Sequence, residues 1–198
     1  NTKTNNSKII NSKNFNGNYI HYGVREHGMA AVMNGLALYG GIIPFGGTFL
    51  IFSDYCKPSI RLSALMGLKV IYIFSHDSIG LGEDGPTHQP IEQLTGLRAI
   101  PNLNVFRPSD MNETLECWEI ALKSKDTPSA IVLSRQKLPY INQENKKENR
   151  SEKGAYTLKV SSHENNVILV ASGSEVELAL KVQDKLKDNK IESKVVSM

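Results

Sequence analysis

The most informative stretch of the sequence is Lys69-Val70-Ile71-Tyr72-Ile73-Phe74, in which apolar residues follow one another without alternation. Such a run predicts a strand that is covered on both faces, as in a parallel sheet. The stretch Ala130-Ile131-Val132-Leu133 has the same character and predicts a second strand of this kind. Because helical patterns separate the predicted strands, we predict an α/β fold with a parallel sheet.

Helical patterns occur on both sides of these strands. Residues 26–39 carry Ala, Met, Val and Leu on nearly every side, which predicts a helix that is buried all round. Residues 110–123 begin with Asp110 and Glu113 at capping-box spacing. Further helices are predicted at 58–66, 91–98 and 174–187, and further strands at 104–106, 156–160, 167–171 and 194–196. The predicted apolar stripe of the helix at 110–123 consists of Met111, Leu115, Trp118 and Leu122.

A polar stretch divides the chain into two parts. Residues 142–153 contain no apolar side chain, which predicts a linker between a domain at 1–141 and another at 154–198. In the second part, Ser174 and Glu177 have capping-box spacing. The preceding Ser172-Gly173-Ser174 turn could hold an anion, although a plain capping turn is the simpler explanation. The chain starts without Met and stops directly after an apolar run, so we expect both ends to lie inside domains.

Composition narrows the class of protein. An apolar fraction of 40% and a charged fraction of 22% are ordinary for a soluble globular protein. The net charge of +3 is small and the lysines cluster late in the chain, so we expect no nucleic-acid partner. No signal peptide and no apolar run of the roughly 20 residues that cross a bilayer are present, so we expect no membrane partner. Cys56 and Cys117 lack metal-site spacing and predict free thiols in a reducing, cytoplasmic compartment.

The loop after the first buried strand, residues 75–90, concentrates side chains that can carry chemistry. In open α/β sheets, ligands bind beyond the carboxyl ends of the strands. The loop is also rich in Gly, Asp and Pro, so a plain surface turn remains an equal alternative. Its spacing fits neither a zinc nor a calcium site. The candidate residues of the loop are His76, Asp77, Glu83, Asp84 and His88.

Three other features could belong to a site. Glu26 opens a predicted helix, where the helix dipole favours a simple first-turn acid. Alternatively, burial beside apolar residues would favour its protonated form, and Glu26 could share a proton with a ligand nitrogen. Phe49, Phe52 and Tyr55 lie at three-residue spacing, which fits core packing or a ring-binding surface. Arg135 follows a predicted strand and could clamp a phosphate, but is a weak signal alone.

Taken together, these features resemble the transketolase family in order and spacing. The resemblance covers nearly the whole chain and continues into the second domain through Ala171-Ser172-Gly173-Ser174-Glu175-Val176. In the first domain it is carried by Gly23-Val24-Arg25-Glu26-His27-Gly28-Met29, by Gly46-Gly47-Thr48-Phe49, by Arg61-Leu62-Ser63-Ala64-Leu65, by the loop from His76 to Pro90, and by Leu133-Ser134-Arg135-Gln136.

The resemblance implies a fold and an activity. Transketolases are transferases of the pentose phosphate pathway that use thiamine diphosphate to move a two-carbon ketol unit from a ketose phosphate to an aldose phosphate. Residues 1–141 would form the parallel-sheet fold that binds the pyrimidine of that cofactor, with its N-terminal part missing. Residues 154–198 would begin the C-terminal domain of the family.

The resemblance also implies roles on the cofactor side of the site. Glu26 matches the glutamate that contacts the pyrimidine ring nitrogen and promotes deprotonation of the cofactor. Phe52 matches the ring that stacks on the pyrimidine, and Phe49 and Tyr55 line the same pocket.

On the substrate side, His76 and Arg135 match positions that hold the substrate phosphate. Asp84 matches a position that binds a sugar hydroxyl. His88 matches one near the reacting carbonyl, so Glu26 and His88 are the expected catalytic residues.

The resemblance implies that parts of the active site lie elsewhere. Family members begin with a diphosphate-binding domain that holds Mg²⁺ and the cofactor phosphates, and nothing in this chain matches it. We therefore expect no metal ligands here. Each active site of the family lies between two subunits of a homodimer, so this chain alone should bind cofactor poorly and be inactive.

Three alternatives stay open. Deoxyxylulose-phosphate synthase also contains an Asp-Gly-Pro-Thr-His run, but His76-Asp77-Ser78 and Gln89-Pro90-Ile91-Glu92 favour transketolase. A non-catalytic binding or assembly protein of the same fold should have lost its costly polar residues, which are present here. A naturally split enzyme, whose partner chain carries the diphosphate-binding domain, is the third.

Overall fold

A computed structural model describes residues 5–141, 148–161 and 167–198. No helix in these ranges is long and apolar enough to cross a membrane. The helices are α1 (Glu26–Tyr39), α2 (Ser53–Leu65), α3 (Gln93–Arg98), α4 (Met111–Lys123) and α5 (Glu175–Asp188). The strands are β1 (Phe45–Phe49), β2 (Ile71–Ser75), β3 (Asn104–Phe106), β4 (Ser129–Val132), β5 (Tyr156–Val160), β6 (Val167–Ala171) and β7 (Ser193–Ser197).

The first sheet is parallel and has the strand order β1-β2-β4-β3. Its central strands β2 and β4 are buried along almost their whole length, as the unbroken apolar runs predict. On β2, Tyr72 and Phe74 face a core formed with α1 and α2, whereas Ile71 and Ile73 face a smaller core against α4. The predicted α/β fold is therefore confirmed.

Helix α1 has the predicted bounds, but the prediction that it is buried all round is wrong. Met29, Ala30 and Met33 are buried, whereas Leu38 is 62% exposed and Tyr39 is also exposed. The reason is geometric. The helix contacts α2 and β1, which lie against one face, and its other apolar side chains face outward.

The packing of α1 over β1 depends on Gly46. A Cβ atom at Gly46 would lie 2.6 Å from Met33 Sδ, whereas one at Gly35, on the exposed side of α1, would have nothing within 4 Å. We expect Gly46→Ala to lower the free energy of unfolding by about 1–3 kcal/mol through overpacking. Gly35→Ala should instead raise it by about 0.5–1 kcal/mol, because alanine loses less backbone entropy in a helix. Urea unfolding measures both, and equal signs would contradict this packing.

Helix α4 has its predicted cap, but most of its predicted apolar stripe is exposed. Asp110 Oδ1 accepts a hydrogen bond from the Glu113 N–H at 3.0 Å. Three of the four predicted apolar side chains are exposed, namely Met111 (70%), Leu115 and Leu122, whereas Trp118 is partly buried against the smaller core. The buried face consists of Glu113, Cys117 and Ala121. The small side chains of Cys117 and Ala121 allow the helix to lie close to the sheet. The carboxylate of Glu113 can be buried because it is hydrogen-bonded.

Two other helix starts differ from prediction. Helix α2 begins at Ser53 rather than at Pro58, which lies inside the helix. The buried side chains of Cys56 and Ile60 hold this helix against the core. Ser174 makes no side-chain cap to α5, so the second predicted capping box is wrong. Its hydroxyl instead donates to Glu175 Oε1 at 2.9 Å.

The second sheet has the order β5-β7-β6, with β5 antiparallel and β6 parallel to β7. Of the predicted linker, residues 142–147 lie outside the described residues. Within the remainder, Glu148, Glu152 and Lys153 are exposed, whereas the residues between Glu148 and Glu152 are packed. Arg150 is buried, and its guanidinium lies 4.1 Å from the centre of the Tyr156 ring. Glu116 of α4 accepts hydrogen bonds from the Ser151 N–H and hydroxyl.

Candidate active site

The candidate residues converge at the carboxyl edge of the parallel sheet. Phe49 is the last residue of β1 and pairs in register with Ser75, the last residue of β2. His76 follows directly, and Arg135 lies three residues beyond the end of β4. This edge is where ligands bind in open α/β sheets, because loops there are free of the sheet.

Phe49, Phe52 and Tyr55 form an aromatic row along this edge. The Phe49 and Phe52 rings are nearly parallel, with centroids 6.0 Å apart. The Phe52 and Tyr55 rings are also nearly parallel, at 5.7 Å. The two phenylalanines are half-buried, and Tyr55 is 65% exposed. The row is therefore an accessible aromatic surface rather than a part of the core.

The loop at 75–90 folds back onto the aromatic row. The His76 ring stacks on Phe49, with centroids 3.6 Å apart and an interplanar angle of 18°. The His88 ring meets Phe52 edge-on at 5.3 Å. Two imidazoles and three aromatic rings, distant in sequence, thus form one cluster. This contact favours a ligand site over a plain surface turn for the loop at 75–90.

Charged groups of the loop and of the segment after β4 meet at His76. Burial lowers the pKa of His76, the charge of Arg135 lowers it further, and the charge of Asp84 opposes both. The side chain of Arg135 reaches the loop, because a Cβ atom at Gly82 would lie 4.0 Å from Arg135 Nε. Burial and the charge of Arg135 therefore disfavour the protonated imidazole, and its Nδ1 lies 3.0 Å from Ser75 Oγ.

The charges around His76 predict that two substitutions shift its pKa in opposite directions. We expect its imidazole to titrate below the usual value of 6.5. Arg135→Ala should raise this pKa, because it removes a positive charge that disfavours protonation, and Asp84→Asn should lower it further. The ¹H–¹³C NMR titration of the histidine Cε1 protons measures all three. A midpoint at or above the usual value in the unaltered chain would contradict the burial of His76 against Phe49.

Glu26 lies in the first turn of α1 and is partly exposed. Its carboxylate lies close enough to α2 to affect Cys56. Burial is the main reason that the pKa of Cys56 rises to about 12, and the charge of Glu26 is the next cause. Both cysteines are buried and free, so the prediction of free thiols is confirmed.

A buried polar network between α1, α2 and β2 was not foreseen from the sequence. The Ser63 hydroxyl donates to Asn34 Oδ1 at 2.6 Å and lies 2.6 Å from the Tyr72 hydroxyl. Asn34 also donates to the Ser59 carbonyl at 2.9 Å, and the Ser59 hydroxyl lies 3.2 Å from His27 Nδ1. The network fixes α1 against α2 and β2. Its one sequence signal is an asparagine within an otherwise apolar helix.

The cluster can bind a flat ring and a phosphorylated, hydroxylated ligand. The aromatic row offers ring faces, and His76, His88 and Arg135 offer donors. Among residues 5–141, 148–161 and 167–198, no group of three or more His, Cys, Asp or Glu side chains could hold a metal ion.

Comparison with known families identifies the family of the chain. The family model for the transketolase pyrimidine-binding domain matches residues 2–141. The chain belongs to the transketolase family. The model for the transketolase-like C-terminal domain matches residues 154–198. The resemblance inferred from the sequence motifs is therefore confirmed.

Individual transketolases align with the chain along its length. The transketolase of Sinorhizobium medicae is 58% identical over 198 residues, which is 100% of this chain and 28% of that protein. A transketolase from Pichia stipitis, solved with sedoheptulose-7-phosphate, has a TM-score of 0.93 and 44% identity, over 99% of this chain and 29% of the other. A split-gene transketolase, solved as an inactive β4 tetramer, has a TM-score of 0.74 and 28% identity, over 90% of this chain and 56% of the other.

Proposed function

We propose that this chain forms one side of a transketolase active site. There, a two-carbon ketol unit would pass from a ketose phosphate to an aldose phosphate. The observation that carries this proposal is the contact of His76 and His88 with the aromatic row at the carboxyl edge of the sheet. The alignment of the whole chain with transketolases supports it.

The aromatic row and Glu26 fit the pyrimidine of thiamine diphosphate. The rings of the row are close to parallel and partly accessible, which suits contact with a flat heterocycle. In this proposal Phe52 stacks on the pyrimidine, Phe49 and Tyr55 line its pocket, and Glu26 holds a proton at the ring nitrogen. The cofactor, when bound, supplies the nucleophilic carbon that accepts the ketol unit.

The substrate side of the proposal assigns four residues. Arg135 and His76 bind the phosphate, because a guanidinium and an imidazole N–H are donors that suit phosphate oxygens. Asp84 accepts from a sugar hydroxyl. His88, whose ring lies against Phe52, donates near the reacting carbonyl.

The rest of the site would lie outside this chain, which spans about 28% of the length of the curated relatives it matches. We place the Mg²⁺ ligands and the diphosphate contacts there, with residues 1–141 as the pyrimidine-binding domain and 154–198 as the start of the C-terminal domain. A homodimer is supported by apolar side chains that face outward. On α1 and α2 these are Val32, Leu38, Tyr39, Leu62 and Leu65. Free, buried thiols fit a cytoplasmic protein.

The similarity to a split-gene transketolase supports one variant of this proposal, in which a chain of this kind acts only with a second chain. The alternatives are a synthase of the deoxyxylulose-phosphate type and a non-catalytic assembly protein. The presence of Glu26 at the start of α1, and of His76, His88 and Arg135 near the aromatic row, favours the enzyme.

Steady-state assays of the complete enzyme test the proposal. We expect product from xylulose phosphate with ribose phosphate in the presence of thiamine diphosphate and Mg²⁺. Pyruvate with glyceraldehyde phosphate should give none. The reverse result would assign the synthase activity, and no product from either pair would favour the assembly protein.

A further inference from the structure

Asp77, the neighbour of His76, makes a buried ion pair that no local sequence pattern indicates. Its carboxylate Oδ2 lies 2.8 Å from Arg107 Nε and 2.7 Å from Arg107 Nη2. The side chain of Asp77 is 1% exposed and that of Arg107 is 8% exposed. Arg107 directly follows β3, which is an outer strand of the sheet. The pair therefore joins the loop after β2 to the end of β3.

The same guanidinium contacts the second sheet and its helix. Arg107 Nη1 donates to the Ser172 carbonyl at 2.9 Å and pairs with the Glu175 carboxylate. Gly173 donates its N–H to the Arg107 carbonyl at 2.9 Å and lies against the guanidinium, because a Cβ atom at Gly173 would lie 2.8 Å from Arg107 Nε. The Ser172-Gly173-Ser174 turn, one possible function of which was to bind an anion, therefore contacts the cationic side chain of Arg107. Arg107 thus links the start of α5 to the loop that carries His76.

The ion pair of Asp77 and Arg107 is better explained by the positions that it fixes than by a contribution to the stability of the fold. Asp77 Oδ1 is buried and has no hydrogen-bond partner in the described part of the chain. Buried ion pairs stabilise weakly because desolvation offsets attraction, and an unsatisfied oxygen adds to that cost. Such pairs fix a position where charge and geometry must both match.

The position that Asp77 fixes is that of His76. His76 has a φ of +60°, a left-handed conformation that is unfavourable for a residue other than glycine. Residues hold such conformations only where the surroundings leave no alternative. Here the His76 ring is held by stacking on Phe49, and the following residue is held by Arg107.

We propose that Asp77 and Arg107 are positioning residues that hold His76 in its substrate-binding conformation and make that conformation depend on contact with the C-terminal domain. This inference rests on the proposed function of His76 as a ligand of the substrate phosphate. Neither residue touches substrate, and both act through the backbone at His76.

Two variants of the complete enzyme test the inference from opposite ends. Asp77→Asn removes the charge but keeps the shape. Gly173→Ala leaves every charge near His76 intact, but its Cβ atom would lie 2.8 Å from Arg107 Nε and so displaces the guanidinium. The matched control is Gly154→Ala. Gly154 also has a positive φ, of +74°, but has nothing within 4 Å of its Cβ position.

We expect both test variants to raise the KM for a phosphorylated ketose by about tenfold, because small misplacements of binding groups are costly. The KM for the same ketose without phosphate and the kcat at saturation should change by less than about twofold. Gly154→Ala should leave both KM values and the kcat unchanged. An equal loss with both substrates would indicate a merely structural role and overturn the inference.

Two reference measurements separate this inference from the proposed function. If His76→Ala raises the KM for the phosphorylated ketose while Asp77→Asn and Gly173→Ala do not, the positioning role is wrong and the proposed function stands. If the unaltered enzyme transfers no ketol unit, the proposed function fails and this inference fails with it.

Discussion

Replacing Glu26 by glutamine in the complete enzyme is expected to lower turnover by about 10²- to 10⁴-fold, the usual contribution of a positioned proton-transfer group. Glutamine has nearly the same size and shape, but its amide cannot exchange a proton with the pyrimidine nitrogen. The free energy of unfolding should change little, because Glu26 is partly exposed and lies at the start of α1. Stopped-flow or steady-state ketol transfer, together with thermal unfolding, measures both quantities.

The matched control for Glu26 is Glu177→Gln. Glu177 is also an acid in the first turn of a helix, α5, where it pairs with Lys181 across one helical turn. A simple first-turn acid contributes about 0.3–1 kcal/mol through the helix dipole, and its loss would leave turnover unchanged. Near-normal turnover in Glu26→Gln would place Glu26 in that simple class and remove its assigned role.

Replacing Arg135 by alanine is expected to raise the KM for phosphorylated substrates by about 10- to 100-fold. A hydrogen bond to a charged group contributes about 1.5–3 kcal/mol, and each 1.4 kcal/mol is a factor of ten in affinity. The kcat should change far less, because the phosphate is remote from the reacting carbon. Kinetics with a ketose phosphate and with the same unphosphorylated ketose separate the two effects.

Lys137→Ala is the control for Arg135. Lys137 is also exposed and cationic and lies two residues along the chain, so it tests whether any positive charge in this segment suffices. We expect the KM to stay within about twofold, since an exposed charge at a distance is screened by solvent. Equal effects of the two substitutions would indicate general electrostatic attraction rather than a specific phosphate contact.

Local patterns predicted the secondary structure well where one rule applied. Strands β5 and β6 have the predicted bounds, and β2 and β4 lie within two residues of theirs. The cap at Asp110 is also correct, because a capping bond joins residues three apart in sequence. Pro58 misled the prediction of α2, since a proline is favoured at a helix start. Here it lies inside the helix, and the buried packing of Cys56 and Ile60 offsets the hydrogen bond that it removes.

The predictions that failed concern which face of a helix is covered. The sequence of α4 places Met111 and Leu115 on one stripe, yet both are exposed and Cys117 is buried. The sequence of α1 shows apolar residues on nearly every side, yet only one face is covered in this chain. A periodic pattern identifies an apolar stripe, but the shape of the neighbouring surface decides what packs against the sheet.

The sequence by itself determined the α/β architecture, the family and the candidate residues at the carboxyl edge of the sheet. These follow from short-range patterns and from motifs that are contiguous in the chain. Only the tertiary structure decided that His76 stacks on Phe49 and that Asp77 pairs with Arg107, which lies 30 residues away. The physical reason is that such contacts depend on strand order and on how loops close over the sheet, and no local pattern encodes either.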